Sequence, residues 1–137
     1  MTTEPTTPFS ARLDTRLVER LKARSAGHGI SASQLAAQFI DEGLRGEEFP
    51  GIVFRVGPAG RRAGLIGGPD VWEVVRDLRA AREAGITDEV AAVTTASELA
   101  EAQVRLAAAY HGAYPEEIDA RIADEEDLIA KLLAGTA

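Results

Sequence analysis

The fold of this chain is decided by the stretch Phe9–Leu44, which reads FSARLDTRLVERLKARSAGHGISASQLAAQFIDEGL. Apolar and polar residues alternate in Phe9–Leu13, which predicts a short strand with one buried face. Asp14 then begins a helix, and a Gly-His-Gly turn ends it. A capping box of Ser31 and Gln34 begins a second, amphipathic helix at once.

A single strand leaves its backbone hydrogen-bonding groups unpaired, so the same strand of a second copy is its expected partner. Two such strands form an antiparallel ribbon. The order of strand, helix, glycine-rich turn and helix resembles the ribbon-helix-helix repressors of the CopG, Arc and MetJ type, in which the ribbon enters the major groove of DNA. One position departs from that pattern, because the family's earlier base-reading position falls on Pro8.

The resemblance assigns DNA-contacting roles to two groups of residues. It implies that the outward-facing Ser10 and Arg12 of the strand contact bases. It also implies that Ser31, Ala32 and Ser33 contact phosphates, because the amides at a helix N-terminus are unpaired donors at the positive end of a dipole.

The segment from residue 9 to residue 44 is too short to enclose a core of its own. We therefore expect a homodimer, or a higher even oligomer, in which two chains bury Leu13, Leu21, Leu35 and Phe39 between them.

Length and composition set wider limits. The chain has 137 residues and 45% hydrophobic content, enough for one ordinary domain or two small ones. It contains no cysteine, which excludes disulfides and thiolate metal sites. The Thr- and Pro-rich start of the chain lacks the apolar core of a signal peptide or membrane anchor, so a cytoplasmic protein with no membrane role is expected.

The net charge of −7 is unevenly distributed along the chain. Between Thr6 and Ser25 there are five basic residues and two acidic ones, whereas from Thr95 onward three basic residues face nine acidic ones. A local basic face is sufficient for phosphate neutralisation, so an acidic chain remains compatible with DNA binding. The alternative is that the first helix has an ordinary solvated charged face.

A boundary near Glu47–Gly51 leads to the second half of the chain. The pattern predicts a hairpin of Ile52–Val56 and Ala63–Ile66 around a turn at Gly57–Arg62. Helices are then expected from Pro69, from Thr87, after a second capping box at Thr95–Glu98, and from Pro115. The expected fold is mostly α with short β: a ribbon-helix-helix head (1–48), a hairpin and helical, helix-turn-helix-like domain (49–113) and an acidic amphipathic C-terminal helix (114–137).

Four short stretches of the second half resemble a small domain of unknown function that is encoded beside PIN-like toxin genes. These stretches are Phe49–Val53, Asp70–Val75, Val104–Tyr110 and Tyr114–Asp119. Together with the head, the resemblance implies an antitoxin of the VapB type, which represses its own operon and neutralises a PIN-like ribonuclease toxin.

The last helix is the expected toxin-binding element. Its apolar stripe consists of Ile118, Ile122, Ile129, Leu132 and Leu133. Acidic residues surround this stripe, and an acidic amphipathic helix suits the basic groove of a ribonuclease. The alternative is that the stripe packs within its own domain, against Leu99, Leu106 and Tyr110.

Other patterns give no catalytic or cofactor site. The Gly57–Arg62 loop lacks the Lys-Ser/Thr pair of a phosphate-binding loop and is interpreted as a hairpin turn. His28 and His111 have no ligand spacing around them, so neither a metal nor a cofactor is expected. We therefore expect a protein that is not an enzyme. Two alternatives stay open: a plain ribbon-helix-helix repressor without a toxin partner, and an interaction adaptor that does not bind DNA.

Overall fold

The computed structural model describes residues 4–57 and 60–135 of the chain. Within these residues the chain forms six helices and one antiparallel hairpin, which confirms a mostly helical fold with short β structure. The elements are α1 (Thr15–His28), α2 (Ala32–Glu48), β1 (Ile52–Gly57), β2 (Gly60–Leu65), α3 (Val71–Glu83), α4 (Glu89–Ser97), α5 (Glu101–Ala113) and α6 (Pro115–Gly135).

The chain divides into two compact units between Asp41 and Glu42. The predicted boundary after residue 48 lies seven residues, or about two turns, further along α2. The end of α2 belongs to the second unit because its side chains bond there, with Glu42 accepting from Arg61 and Arg45 donating to the hydroxyl of Tyr110.

The caps of the first unit form as the sequence predicts. Asp14 Oδ1 accepts hydrogen bonds from two amides of the first turn of α1, at 2.7 and 3.4 Å. Gly29 ends α1 with a φ of 68°, in the left-handed region that favours glycine. The amide of Gln34 donates to Ser31 Oγ at 3.1 Å, and the amide of Ser31 donates to Gln34 Oε1 at 3.0 Å, which confirms the first capping box.

The predicted strand Phe9–Leu13 is not a strand in the single chain. Residues 4–14 have no regular secondary structure and are exposed. Since the expected partner strand belongs to a second copy, the ribbon stays a prediction.

The predicted hairpin is confirmed, but its turn is narrower than expected. β1 and β2 pair antiparallel from Ile52 opposite Leu65 to Gly57 opposite Gly60. Arg61 and Arg62 therefore lie in β2 rather than in the turn, because their side chains bond to carboxylates elsewhere in the unit. The turn residues 58 and 59 lie outside the described residues.

Two helix starts differ slightly from the prediction. α3 begins at Val71 with Asp70 as its N-cap, so Pro69 precedes the helix instead of lying in its first turn, and the amide of Asp70 donates to the Glu73 side chain at 2.9 Å. The N-cap of α4 is Asp88 rather than Thr87, since Asp88 Oδ1 accepts from the third amide of the helix at 3.0 Å.

The second predicted capping box is wrong. Thr95 lies inside α4, which continues to Ser97 and is followed by Glu98 with a φ of 62°. The Thr95 hydroxyl donates to the carbonyl of the preceding turn instead of capping a new helix. α5 begins at Glu101. Its N-cap is Ala100, whose amide donates to Gln103 Oε1 at 2.9 Å.

The core of the second unit lies between the hairpin and helices α3 to α6. α3 supplies one buried face, and the opposing residues come from the hairpin, α4, α5 and the first half of α6. Its buried members are Ile52, Ala63, Leu65, Val71, Val74, Val75, Leu78, Val93, Val104, Ala107, Tyr110, Ile118 and Ile122. The first half of α6 packs in this core, whereas the second half of the helix stays exposed.

Candidate functional site

The base-contact candidates Ser10 and Arg12 lie in the segment without regular secondary structure that precedes α1. Both are exposed, so their side chains are available to a ligand. Phe9 and Leu13, which alternate with them, are 82% and 48% exposed although they are apolar. The segment therefore offers a polar set of side chains together with an apolar set that the single chain does not cover.

The phosphate-contact candidates lie at the start of α2. The capping box uses the amides of Ser31 and Gln34. The amides of Ala32 and Ser33 lie in the first turn of α2, where the helix has no carbonyl four residues earlier to accept them. Ser31 and Ser33 are exposed and Ala32 is half-buried. Two amides at the positive end of the helix thus remain for an anionic group.

The apolar side of the first unit is only partly buried. Leu35 is fully buried and Leu21 is half-buried, but Leu13 and Phe39 are 48% and 41% exposed. Leu17 and Ile40 are also exposed. Large apolar side chains that stay this exposed on so small a unit are typical of a surface that a protein partner covers.

Basic side chains differ sharply between the two units. All ten basic residues of the second unit form ion pairs: Arg45, Arg55, Arg61, Arg62, Arg76, Arg79, Arg82, Arg105, Arg121 and Lys131. The first unit has five: Arg12, Arg16, Arg20, Lys22 and Arg24. All five are exposed, and none of them forms an ion pair within residues 4–57 and 60–135. The uncompensated positive charge of the protein is therefore concentrated in its first unit.

The predicted toxin-binding stripe on α6 divides into two parts. Ile118 and Ile122 are buried at 3% and 1% exposure in the core of the second unit, so they are not available to a partner. Ile129, Leu132 and Leu133 are 53 to 67% exposed, and Leu128 beside them is 50% exposed. The binding prediction therefore applies only to the second half of the helix.

A carboxylate at the start of α3 holds two arginines of the hairpin, a cluster that sequence reasoning missed. Asp70 is 6% exposed. Its Oδ1 accepts from Arg55 NH1 at 2.9 Å, and its Oδ2 accepts from Arg62 Nε and from Trp72 Nε1. Arg55 also donates to the carbonyl oxygen of Gly68 at 2.7 Å. This cluster joins the hairpin to α3 and engages both guanidinium groups within the unit.

A second unpredicted cluster joins the end of α2 to α5 and α6. Arg45 NH1 donates to the Tyr110 hydroxyl at 2.8 Å and to Glu117 Oε2 at 2.6 Å. Its guanidinium also lies 3.9 Å from the centre of the Tyr114 ring, within cation–π distance. Burial raises the pKa of the Tyr110 phenol well above its ordinary value, against the opposing effect of the Arg45 hydrogen bond.

The two histidines occupy different environments. His28 lies exposed at the end of α1, whereas His111 Nε2 lies 2.8 Å from Asp119 Oδ1, which also accepts from Arg79 at 2.8 Å. The hydrogen bonds from His111 and Arg79 lower the pKa of Asp119. No group of three or more potential metal ligands occurs in the part of the chain that the structure describes.

Comparisons with known proteins give no family for this chain: no family model matches it, and no curated protein or solved structure is significantly similar to it. Within the described ranges, every helix is too short or too polar to cross a membrane.

Proposed function

We propose that this chain is the antitoxin of a type II toxin-antitoxin system, which binds operator DNA as a homodimer and represses its own operon. It also neutralises a PIN-like ribonuclease toxin through its C-terminal region. The protein acts by binding, without catalysis or a cofactor, in the cytoplasm where its operator lies.

The DNA-binding role is supported above all by the division of basic charge between the units. Ion pairing neutralises the basic residues of the second unit, while the five of the first unit stay exposed and form no ion pair in the part of the chain that the structure describes. Unpaired arginines and lysines release counterions when they contact DNA, which supplies sequence-independent affinity. The amides of Ala32 and Ser33 add a second kind of phosphate contact.

The homodimer is supported by the exposed apolar residues that alternate with Ser10 and Arg12. Pairing residues 9–13 of two chains would satisfy their backbone groups and turn Phe9, Ala11 and Leu13 to one face. That face would meet the apolar residues of α1 and α2, including the 41% exposed Phe39. The polar face of the same ribbon would carry Ser10 and Arg12 toward DNA.

The toxin-binding role is supported by the second half of α6. Leu128, Ile129, Leu132 and Leu133 are at least half exposed, and α6 carries seven acidic residues against two basic ones. A groove that attracts an RNA backbone must be basic, so it complements such a helix. The acidic helix would lie in the path of the RNA substrate.

DNA binding is tested with Arg12→Ala on DNA from the protein's own promoter region. If Arg12 reads a base edge, the variant loses about 1 to 3 kcal/mol of discrimination between the operator and an altered operator. Lys22→Ala is the matched control, because it removes one unpaired charge from the same unit and should weaken binding to both sequences alike. Equal weakening by Arg12→Ala would reduce Arg12 to a phosphate contact.

The alternatives separate in the same assays. An adaptor without a DNA role would show no salt-dependent DNA binding in the wild-type chain. A plain repressor would bind DNA but would not protect cells from the product of the neighbouring gene. Protection together with DNA binding is the result expected of an antitoxin.

A further inference from the structure

Three arginines of the first unit are spaced one turn apart along α1. Arg16, Arg20 and Arg24 follow each other at i, i+4 and i+8 within the helix Thr15–His28. Residues at this spacing are neighbours on one side of a helix, and the three span about 12 Å along its axis. All three are exposed.

This row lacks the acidic partners that accompany basic residues in the rest of the chain. On α5 and α6, the basic residues each pair with an acid one turn away: Arg105 with Glu101, Arg121 with Glu125, and Lys131 with Asp127. On α1, Glu19 forms no ion pair within the described residues, and neither do the three arginines.

The row also opposes the stability of its own helix. Like charges at i, i+4 repel each other on a helix surface, so both Arg16–Arg20 and Arg20–Arg24 are unfavourable pairs. Arg16 lies in the first turn, which contains no acidic residue and is the positive end of the helix dipole. Asp14 at the N-cap offsets part of this charge, but the three arginines themselves have no acidic ion-pair partner among the described residues. Such a local conflict with folding is characteristic of a functional surface.

We propose that Arg16, Arg20 and Arg24 form a phosphate-binding row on α1 that contacts the DNA backbone beside the ribbon. The inference rests on the proposed DNA-binding function and extends it to a surface outside residues 9–13 and the start of α2. A linear polyanion suits the row, since each DNA strand presents one charge per about 3.4 Å along its axis, over the whole length of the three arginines. Because phosphates are the same at every base pair, the row adds affinity without sequence preference.

The test compares the variants Arg16→Gln, Arg20→Gln, Arg24→Gln and their triple combination. The matched control is the triple variant Arg82→Gln, Arg105→Gln and Lys131→Gln, which removes equal charge from exposed, ion-paired positions of the second unit. Affinity for a duplex of arbitrary sequence is measured between about 50 and 200 mM salt. The readout is the slope of log affinity against log salt concentration.

In the dimer each single substitution removes two phosphate contacts, so we expect the slope to flatten by about 2 for a single variant and by about 5 for the triple variant. The control triple should keep the wild-type slope. The thermal midpoint of the α1 variants should stay level or rise, because the substitutions relieve repulsion, so weaker binding cannot be ascribed to unfolding.

Two outcomes would overturn the inference, and a third would overturn the proposed DNA-binding function on which it rests. A wild-type slope in the α1 triple variant removes the row from the DNA interface. A wild-type slope combined with lost binding to poly-glutamate would identify the row as a surface for an acidic protein. A wild-type chain without salt-dependent DNA binding would instead refute the proposed function itself.

Discussion

Asp70 illustrates how one carboxylate organises the second unit. Asp70 is the N-cap residue of α3, and its two carboxylate oxygens accept from Arg55, Arg62 and Trp72. The glycine of β2 opposite Val53 makes room for this arrangement, because a Cβ at Gly64 would lie 2.7 Å from the Arg55 guanidinium. Arg55 and Arg62 therefore act as structural residues, although the sequence pattern places Arg62 in the turn.

Replacing Asp70 should destabilise the second unit. Asp70→Asn removes the negative charge that pairs with Arg55 and Arg62. Because these two side chains are only 32% and 26% exposed, water replaces only part of the lost ion pairing. We expect a loss of about 1 to 3 kcal/mol in the free energy of unfolding, measured by urea denaturation. The control is Asp77→Asn, whose partner Arg76 is 46% exposed, with an expected loss of about 0.2 to 1 kcal/mol. Equal losses would show that burial adds nothing at Asp70.

Tyr110 should make the stability of the protein sensitive to alkaline pH. Burial raises the pKa of its phenol in the folded chain, so the neutral form is favoured by folding. The stabilisation is fully present below the unfolded pKa of about 10 and is lost as pH rises above it. Urea unfolding in this alkaline range should show falling stability in the wild type and a flatter profile in Tyr110→Phe. An unchanged profile in the variant would assign the alkaline loss to another group.

Local hydrogen bonds decide which single residues can be predicted from sequence. Asp14 and the Ser31–Gln34 pair act on amides two or three positions away, so their patterns were sufficient to predict them. Thr95 matched the same pattern but follows a helix that Asp88 had already begun, and its hydroxyl bonds backward. The Asp70 cluster depends on residues up to 15 positions apart, a separation that no local pattern encodes.

At the scale of the element, α6 is one helix with two environments. Its first half supplies Ile118 and Ile122 to the core, while no residue from 123 to 135 is buried. Hydrophobic periodicity predicted the helix and its apolar stripe. The periodicity does not tell which half of the helix packs in the core and which half stays exposed. An apolar stripe has the same spacing whether it packs against its own chain or against a partner.

The boundary between the halves gives a truncation test. A chain ending at Ala123 keeps every buried residue of α6 and loses the ion pair of Arg121 with Glu125, so its unfolding free energy should stay within about 1 kcal/mol of the wild type. It should also bind DNA normally but fail to protect cells from the toxin, since the exposed leucines are gone. A chain ending at Ala113 loses Ile118 and Ile122 as well, at about 2 to 5 kcal/mol each, and should unfold the second unit. Full protection by the Ala123 truncation would exclude the second half of α6 as the toxin-binding element.

The hairpin shows the corresponding limit for strands. Alternation and turn residues predict both strands, but the pattern of Gly, Pro and Arg predicts one turn over all six residues from 57 to 62. β2 begins within that stretch because Arg61 pairs with Glu42 through two hydrogen bonds of 2.6 Å, and Arg62 pairs with Asp70. Long-range ion pairs thus extended the sheet into a segment with weak strand propensity.

The two units of the molecule differ in their unpaired charge and in their exposed apolar surface. The second unit encloses a core and neutralises its basic side chains internally. Among the described residues 4–41, the first unit buries Leu35 alone of its large apolar side chains and forms no ion pair with its basic ones. A unit with this composition needs another surface to complete it, and a second copy satisfies the backbone of residues 9–13 as well as the apolar side chains.

Dimerisation through the first unit is tested by Leu13→Glu. Leu13 lies at an inward position of the proposed ribbon and is 48% exposed in the single chain, so the substitution is tolerated in a monomer but buries a charge in the dimer. In sedimentation at micromolar concentration we expect a dimeric wild type and a monomeric variant. The variant should also lose DNA affinity, because two half-sites can no longer be bound together.

Leu132→Glu provides the matched control, since it introduces the same charge at a leucine that is 61% exposed on α6. It should remain dimeric and bind DNA while losing toxin neutralisation. Both variants should keep the helical circular dichroism of the wild type, because neither residue belongs to the core of the second unit. A dimeric Leu13→Glu variant would move the interface away from residues 9–13. A wild-type monomer that still binds DNA would show that the apolar face of the first unit is covered by something other than a second copy.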